Sequence, residues 1–243
     1  MRAFLKHAAA RERTPRTDLH LGVTLAFIAG AVNAGGFLAV GRYTSHMTGI
    51  TSAIADALAL HQWHAAFACL TFLVSFITGA VVCSLLVNFS RQHHYHSEYA
   101  SALMLEAVLL LLFGTSAGGA IPHVHFSLNL TICLLCFMMG LQNAVISKIS
   151  HSAIRTTHVT GSATDIGIEL GRRLFRLVCN RTLPIHRDRM LIPSALLLSF
   201  LAGAIVGAFS FAYVGFMIVV PLALTLMALS IAPIYRDLRR GRP

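Results

Sequence analysis

Carboxylates are scarce in this chain. Nine Asp and Glu stand against 19 Lys and Arg in 243 residues, and charged side chains make up 12% of the total. Soluble domains carry about 25%. With 56% hydrophobic residues and a mean hydropathy of +0.71, water is not the main solvent of the folded chain. Alternation over about ten residues, the mark of a barrel strand, is missing from the apolar runs, which leaves helices as the only spanning structure. No Walker A phosphate loop and no His-Glu-x-x-His appears, so ATP-driven pumping and metalloprotease chemistry lack support, and enzymatic activity is not expected. Cysteines are few and scattered. Cys69, Cys83, Cys133 and Cys136 lie in apolar runs and Cys179 in a basic stretch, and they read as small hydrophobes rather than a redox or metal pair. Thirteen histidines lack the Cys or carboxylate companions that a metal site needs, so neither a metal nor a cofactor is expected. The net charge of +10 sits in tails and particular loops, as membrane topology requires, and does not point to nucleic acid.

One short phrase occurs twice. Thr44-Ser45-His46-Met47-Thr48-Gly49 returns as Thr156-Thr157-His158-Val159-Thr160-Gly161. Each copy follows a Gly-x-x-Asn-Ala block (Gly30 to Ala34, Gly140 to Ala144) and precedes a Ser-Phe-x-x-Gly-Ala block (Ser75 to Ala80, Ser199 to Ala204). Matching blocks in one order mean an internal duplication. The offset between copies grows from 110 to 112 to 124 residues, so the second half carries insertions around its phrase.

Apolar runs at Leu19–Val40, Ala65–Phe89, Ala102–Ile121, Phe126–Ile146, Met190–Phe211 and Ala212–Ile234 predict six spanning helices, each near the ~20 residues a bilayer needs. The expected fold is an all-α integral membrane protein. Its parts are a basic tail (1–18), a first three-helix repeat (19–125), a second (126–235) carrying a polar loop at 148–189, and a second basic tail (236–243). Gly49–Leu60 is too short to span and reads as a half-helix. Gly161–Val178 places Ile166, Leu170, Leu174 and Val178 on one side and Asp165, Glu169, Arg172, Arg173 and Arg176 on the other, an amphipathic surface helix. Glu169 and Arg173, four apart, are expected to pair on a solvated face. Lys and Arg concentrate in both tails and in the loops at 90–99 and 148–189, which places these four segments, and both termini, in the cytoplasm of a bacterial inner membrane. Three spans per half is an odd number, so the halves cross in opposite directions. Inverted repeats with interrupted helices are common among secondary transporters.

The candidate site follows from the repeat. Asn33, Asn143 and Gln142 are amides in apolar helix, which serve either as glue between helices or as solute contacts. Thr48-Gly49 and Thr160-Gly161 read as helix starts in which the hydroxyl caps free N–H groups. Those helix starts would face an anionic or carbonyl group of a solute, with His46 and His158 as a hydrogen-bonding or proton-carrying pair. If the two phrases form one site, the histidines must approach each other near the bilayer centre. Glu106, an acid in an apolar run, and Asp165 are the candidates for proton or ion coupling. The recurring small residues Ser75, Gly79 and Cys83, and Ser199, Gly203 and Gly207, mark helix faces that allow close approach.

Met139-Gly140-Leu141-Gln142-Asn143-Ala144, the second phrase, and Thr164-Asp165-Ile166-Gly167 together resemble the YoaK-like family of bacterial inner-membrane proteins, a domain of unknown function. The resemblance covers nearly the whole chain after the basic tail. The first half departs from it: Asn33 stands where the family favours Asp, and His46 to Ile50 stand where it favours Asn-Met-Thr-Gly-Asn. The resemblance implies a membrane location and supplies no substrate. The expected function is a secondary transporter of a small solute with its site between the repeats, with the lipid bilayer, the solute and further copies of the chain as partners. The alternative is a non-transporting scaffold, sensor or complex subunit.

Overall fold

The computed structural model describes residues 15–93, 97–117, 127–150, 155–179 and 187–239. Pro122–His125, which reads in the sequence as a short turn between two apolar runs, most of the N-terminal tail and the end of the C-terminal tail lie outside the described residues. Among the described residues there is no strand. The helices are α1 (Pro15–Val40), α2 (Met47–Ala59), α3 (Trp63–Gln92), α4 (Ala100–Ala117), α5 (Leu128–Ile149), α6 (Val159–Cys179), α7 (Arg187–Val214) and α8 (Val219–Arg239). Among the described residues, four stretches are long and apolar enough to cross a membrane: Asp18–Val40, Trp63–Gln92, Leu128–Ile149 and Arg189–Tyr235. The last holds both α7 and α8. A 3-10 turn at Gly215–Ile218 divides it, where Gly215 takes φ +65, a conformation open to residues without a Cβ. The break therefore falls a few residues later than the expected one after Phe211. Helix α4 has 18 residues, about 27 Å at 1.5 Å per residue.

Helix α5 starts where Ser127 accepts a hydrogen bond from the Leu130 N–H at 3.4 Å, satisfying one of the free donors of its first turn. It reaches Ile149 and Ser150, a few residues past its expected end at Ile146. With α1 it forms the interior. Leu21, Leu25 and Ile28 on one helix and Met138, Met139 and Leu141 on the other are fully buried. The Gln142 amide donates to the Leu25 carbonyl across this contact at 3.0 Å.

The remaining helices pack in a pattern that the duplication explains. Helix α1 lies against α7 and α3 against α5, while α2 packs on α3, α6 on α7 and α4 on α8. Exchanging the halves leaves that set unchanged, whereas the further packing of α4 on α5 has no comparable counterpart between α8 and α1. The crossings are equivalent residue by residue. A Cβ at Gly30 would overlap the Phe200 carbonyl, and one at Gly140 would overlap the Phe76 carbonyl. Likewise Gly79 sits on the Phe137 carbonyl and Gly203 on the Phe27 carbonyl. Small residues let the backbones touch. The contacts Val23 with Ser199 (hydroxyl to carbonyl, 2.7 Å), Phe27 with Gly203 and Ala31 with Gly207 advance together along α1 and α7, so these two helices run parallel. Helices α4 and α8 run antiparallel. Ser97 donates from its N–H (2.9 Å) and hydroxyl (2.5 Å) to Asp237 at one end, and Gly114 meets Val219 at the other.

The outward faces repeat as well. Phe67, Val74, Ile77, Val81, Leu85 and Phe89 form an exposed stripe along α3, and Leu191, Leu198, Leu201, Ile205, Phe209 and Tyr213, each 124 residues later, form the same stripe along α7. Apolar stripes of that length would be an aggregation surface in water; in hydrocarbon they are the solvated face.

Helix α6 departs from expectation. Its apolar side is turned outward, with Leu174, Leu177 and Val178 at 61%, 79% and 82% exposure. Glu169 is buried, not solvated, and pairs at 3.5 Å with Arg172, three residues on, not with Arg173. Packing α6 on α7 closes over that side of the helix and leaves the leucines for lipid.

A cavity lined by both phrases

After α1 ends at Val40 the chain reverses at Gly41, which takes φ +69. It then returns along its own helix, and the Ser45 N–H donates to the Asn33 side-chain oxygen at 3.1 Å. Asn33 lies seven residues before Val40, about 10 Å back down the helix. The second half does the same with more bonds. Asn143 lies six residues before Ile149. Its oxygen accepts from the hydroxyls of Thr156 (3.1 Å) and Thr157 (2.9 Å), and its amide donates to the Met139 carbonyl (3.0 Å) and the Thr157 hydroxyl (2.7 Å). Both asparagines thus tether a returning chain to the middle of the fold. Each phrase is drawn inward from the end of its helix.

Helix α2 then starts at Met47 with His46 as its N-cap, and no side chain caps the free N–H groups. The Thr48 hydroxyl does not cap, contrary to expectation, because Thr48 already lies inside the first turn; Thr160 has the same place in α6. The glycines make room for the histidines. A Cβ at Gly49 would overlap the His46 imidazole, and one at Gly161 the His158 imidazole. Each ring lies across the first turn of its helix, and only glycine three residues on leaves it room.

The two phrases line one cavity of about 600 Å³. Its walls pair across the repeat: Asn33 with Asn143, Tyr43 with Arg155, Ser45 with Thr157, His46 with His158, Met47 with Val159, Thr48 with Thr160 and Phe76 with Phe200, with Ser147 added from α5. Phe76 is 13 residues from the start of α3 and 16 from its end, and Phe200 is 13 from the start of α7 and 14 from its end, so the cavity is at mid-length of both helices. His46, Thr48, Arg155, His158 and Thr160 are exposed to it. Among the described residues, no Asp or Glu lines it. Among the described residues, Arg155 has no ion-pair partner and neither imidazole has a hydrogen bond.

Two further cavities continue from it on one side. A second, of about 480 Å³, shares Arg155, His158 and Thr160 with the first and includes Gly161. A third, of about 430 Å³, shares Asp165, Ile192 and Pro193 with the second and holds Glu169, Arg172 and Arg189. The corresponding cavity between α2 and α3, lined by Ile54, Leu58, Trp63, His64, Ala66, Phe67 and Leu70, shares no residue with the central one.

The candidate residues from the sequence divide accordingly. Asn33, Asn143, His46, His158, Thr48 and Thr160 come together at the central cavity, with Gly49 and Gly161 beneath the imidazoles. Asp165 lies farther along, in the second and third cavities. Gln142 is fully buried between α1 and α5 and lines no described cavity. Glu106 is 1% exposed within the helix packing, with one carboxylate oxygen lacking a hydrogen-bond partner, so it does not snorkel to an interface. The unmatched residues are Tyr43, Arg155, Phe76 and Phe200. The phrase offset of 112 relates Tyr43 to Arg155, and the two phenylalanines belong to the repeated Ser-Phe-x-x-Gly-Ala block, so a signal existed for all four. Gly114-Thr115-Ser116-Ala117-Gly118 has the spacing of a nucleophile elbow. Its first four residues continue helix α4, whereas an elbow is a strand-to-helix turn.

An all-helical chain with lipid-facing stripes and a polar cavity at mid-depth belongs to the class of helical membrane proteins. Within that class it is a member of the family described as "Protein of unknown function (DUF1275)", which matches residues 21–232. It is similar to the UPF0700 transmembrane protein YoaK of Bacillus subtilis (strain 168), with 29% identity over 202 residues, 82% of this chain and 87% of that protein. No solved structure matches.

Proposed function

We propose that the chain is a secondary transporter of a small solute, built from two three-helix repeats inserted in opposite directions, with the central cavity as its solute site. In this reading α1, α3 and α4 are the spans of the first repeat, and α5, α7 and α8 those of the second. The parallel course of α1 and α7 supports the inversion. Within a half, successive spans alternate in direction, so the first span of one repeat runs parallel to the second span of the other only if the repeats are inverted. The basic tails and the 148–189 segment then face the cytoplasm of the inner membrane.

The observation that carries the proposal is the paired lining of the cavity. Equivalent residues from both halves meet at the mid-length of the long helices, where transporters built on inverted repeats hold their solutes. A volume of about 600 Å³ is in the range of small-molecule sites. A scaffold would gain nothing from keeping unpaired imidazoles and a guanidinium in an open space there. The linked cavities on the α6–α7 side give a path toward the cytoplasmic loop, and the α2–α3 cavity shares no wall with the site, which is the asymmetry of an inward-open state.

Flux measurement tests this. Proteoliposomes containing the purified chain are loaded with labelled amino acids, sugars, nucleobases, organic acids and amines. At least one solute is expected to exchange faster than in protein-free vesicles, and Ser147→Trp, which fills the cavity, is expected to stop it. Absence of flux for every class, with a chain that still melts cooperatively, would refute transport.

A further inference from the structure

We infer that the solute is an organic anion, a carboxylate or phosphate carried on an apolar body. The inference rests on the cavity being a solute site and adds to it the charge of its occupant. Three features combine. First, the central cavity has a guanidinium, Arg155, with no ion-pair partner among the described residues, and no carboxylate in its lining. An arginine is always charged and offers a planar set of donors matched to carboxylate and phosphate. In a cleft of low dielectric such a charge draws its counter-ion from the solution.

Second, the imidazoles of His46 and His158 carry no hydrogen bond within the described protein and each can donate an N–H to an oxyanion. The remaining titratable group of the lining is Tyr43, a donor as well. Helices α2 and α6 both begin at this cavity, and the N-terminal ends of their dipoles add partial positive charge to what the side chains already set up. Third, Phe76 and Phe200, with Met47 and Val159, form the apolar part of the wall. An inorganic ion would leave most of the space to water, whereas an organic body covers both rings.

The acids nearest along the path are Asp165 and Glu169, and both lie outside the central cavity. Glu169 is held by Arg172, and Arg189 lies in the same outer cavity. The path therefore carries its acids with basic partners close by, while the centre carries base alone. An organic cation in the central cavity would meet Arg155, and Asp165, the nearest acid, shares only the second cavity with that arginine.

The charge of the cavity is measurable without knowing the solute. In a background with all five cysteines replaced, a Ser147→Cys probe is reacted in proteoliposomes with a negatively charged methanethiosulfonate (sulfonatoethyl) and a positively charged one (trimethylammonioethyl). Their rate ratio is normalised to the same ratio for a free thiol. The anionic reagent is expected to be favoured by about tenfold, the lower end of what a focused field produces, and the preference is expected to fall toward unity in Arg155→Gln and to persist in Arg155→Lys. A normalised ratio at or below unity, or one unmoved by Arg155→Gln, overturns the inference. A thermal-shift panel of aromatic and aliphatic carboxylates, sugar phosphates, their neutral amides, and amines of similar size completes the test. Stabilisation confined to anions and lost in Arg155→Gln supports the inference, whereas stabilisation by amides or amines alone, or by nothing, overturns it. The transport reading fails separately: anion binding without flux removes transport and keeps the anion site, and flux of a neutral or cationic solute keeps transport and removes the anion.

Discussion

Adding one methyl group at Gly79 or Gly203 tests how the halves are held together. A Cβ at Gly79 would overlap the carbonyl oxygen of Phe137 and come within 3.0 Å of the Leu141 nitrogen; at Gly203 it would overlap the Phe27 carbonyl. The obstructing atoms are backbone in long helices, so no rotamer change relieves the overlap and the helices must separate. Overpacking in a close-packed interior costs about 1–3 kcal/mol. A rigid obstacle puts these two variants near ~3 kcal/mol by the same reckoning. In a chain of this size each kcal/mol shifts the midpoint of unfolding by about 2–4 °C, so Gly79→Ala and Gly203→Ala should each lower it by roughly 6–12 °C. The assay is a thermal melt in detergent followed by fluorescence-detected size exclusion. Gly167→Ala and Gly171→Ala are the controls, because nothing lies within 4 Å of a Cβ at either position. In an open helix position alanine gains about 1 kcal/mol over glycine, so the controls should be neutral or slightly stabilised. Unchanged melting of Gly79→Ala, or a loss at Gly171→Ala equal to that at Gly203→Ala, would refute the crossing geometry.

Four further outcomes follow from the hydrogen bonds and topology. Asn143→Leu should cost about 1–3 kcal/mol in the same melt, because it strands the Thr156 hydroxyl, which is only 2% exposed. Gln142→Leu should fall within about 1 kcal/mol of the parent, since the lost bond to Leu25 is offset by removal of an amide oxygen with no partner. Asp237→Ala frees both donors of Ser97 and should lower the melting point, with Asp237→Asn recovering part of it, which a side-by-side melt decides. A membrane-impermeant thiol reagent should reach a His64→Cys probe from outside intact cells, and the exposed Cys179 in a chain lacking the other four cysteines only after the membrane is opened.

Much of the fold was readable in the sequence because lipid simplifies the code. The apolar runs from Leu19, Ala65, Phe126 and Met190 marked helices α1, α3, α5 and α7 to within a few residues, whereas α8 begins seven residues after the expected Ala212. The duplication supplied what hydropathy does not. The blocks around Gly30 and Gly140, and around Gly79 and Gly203, recur because each pair makes equivalent contacts at two crossings, Gly30 on Phe200 and Gly140 on Phe76, Gly79 on Phe137 and Gly203 on Phe27. Other features needed three dimensions. Glu169 looked like a solvated acid because its spacing to Arg173 is favourable on an isolated helix, but α7 covers that face and selects Arg172. The hydroxyls of Thr48 and Thr160 looked like caps because Thr before Gly often is one. The fold starts each helix two residues earlier and places an imidazole over the glycine. Arg155 stood in a loop among other cations, and nothing local distinguishes an arginine that solvates a membrane surface from one that turns into a cavity.

The account depends most on the meeting of the two phrases, and cross-linking in native membranes measures it directly. A His46→Cys, His158→Cys double variant in the cysteine-free background is treated with a short bifunctional methanethiosulfonate, and the product is read by mass spectrometry of the digested chain. The shared cavity predicts a peptide pair joining the two phrases within one chain, formed at low protein density and absent from either single variant. Efficient single labelling of both cysteines with no cross-link would place the phrases apart, one at each membrane face, and would contradict the common site.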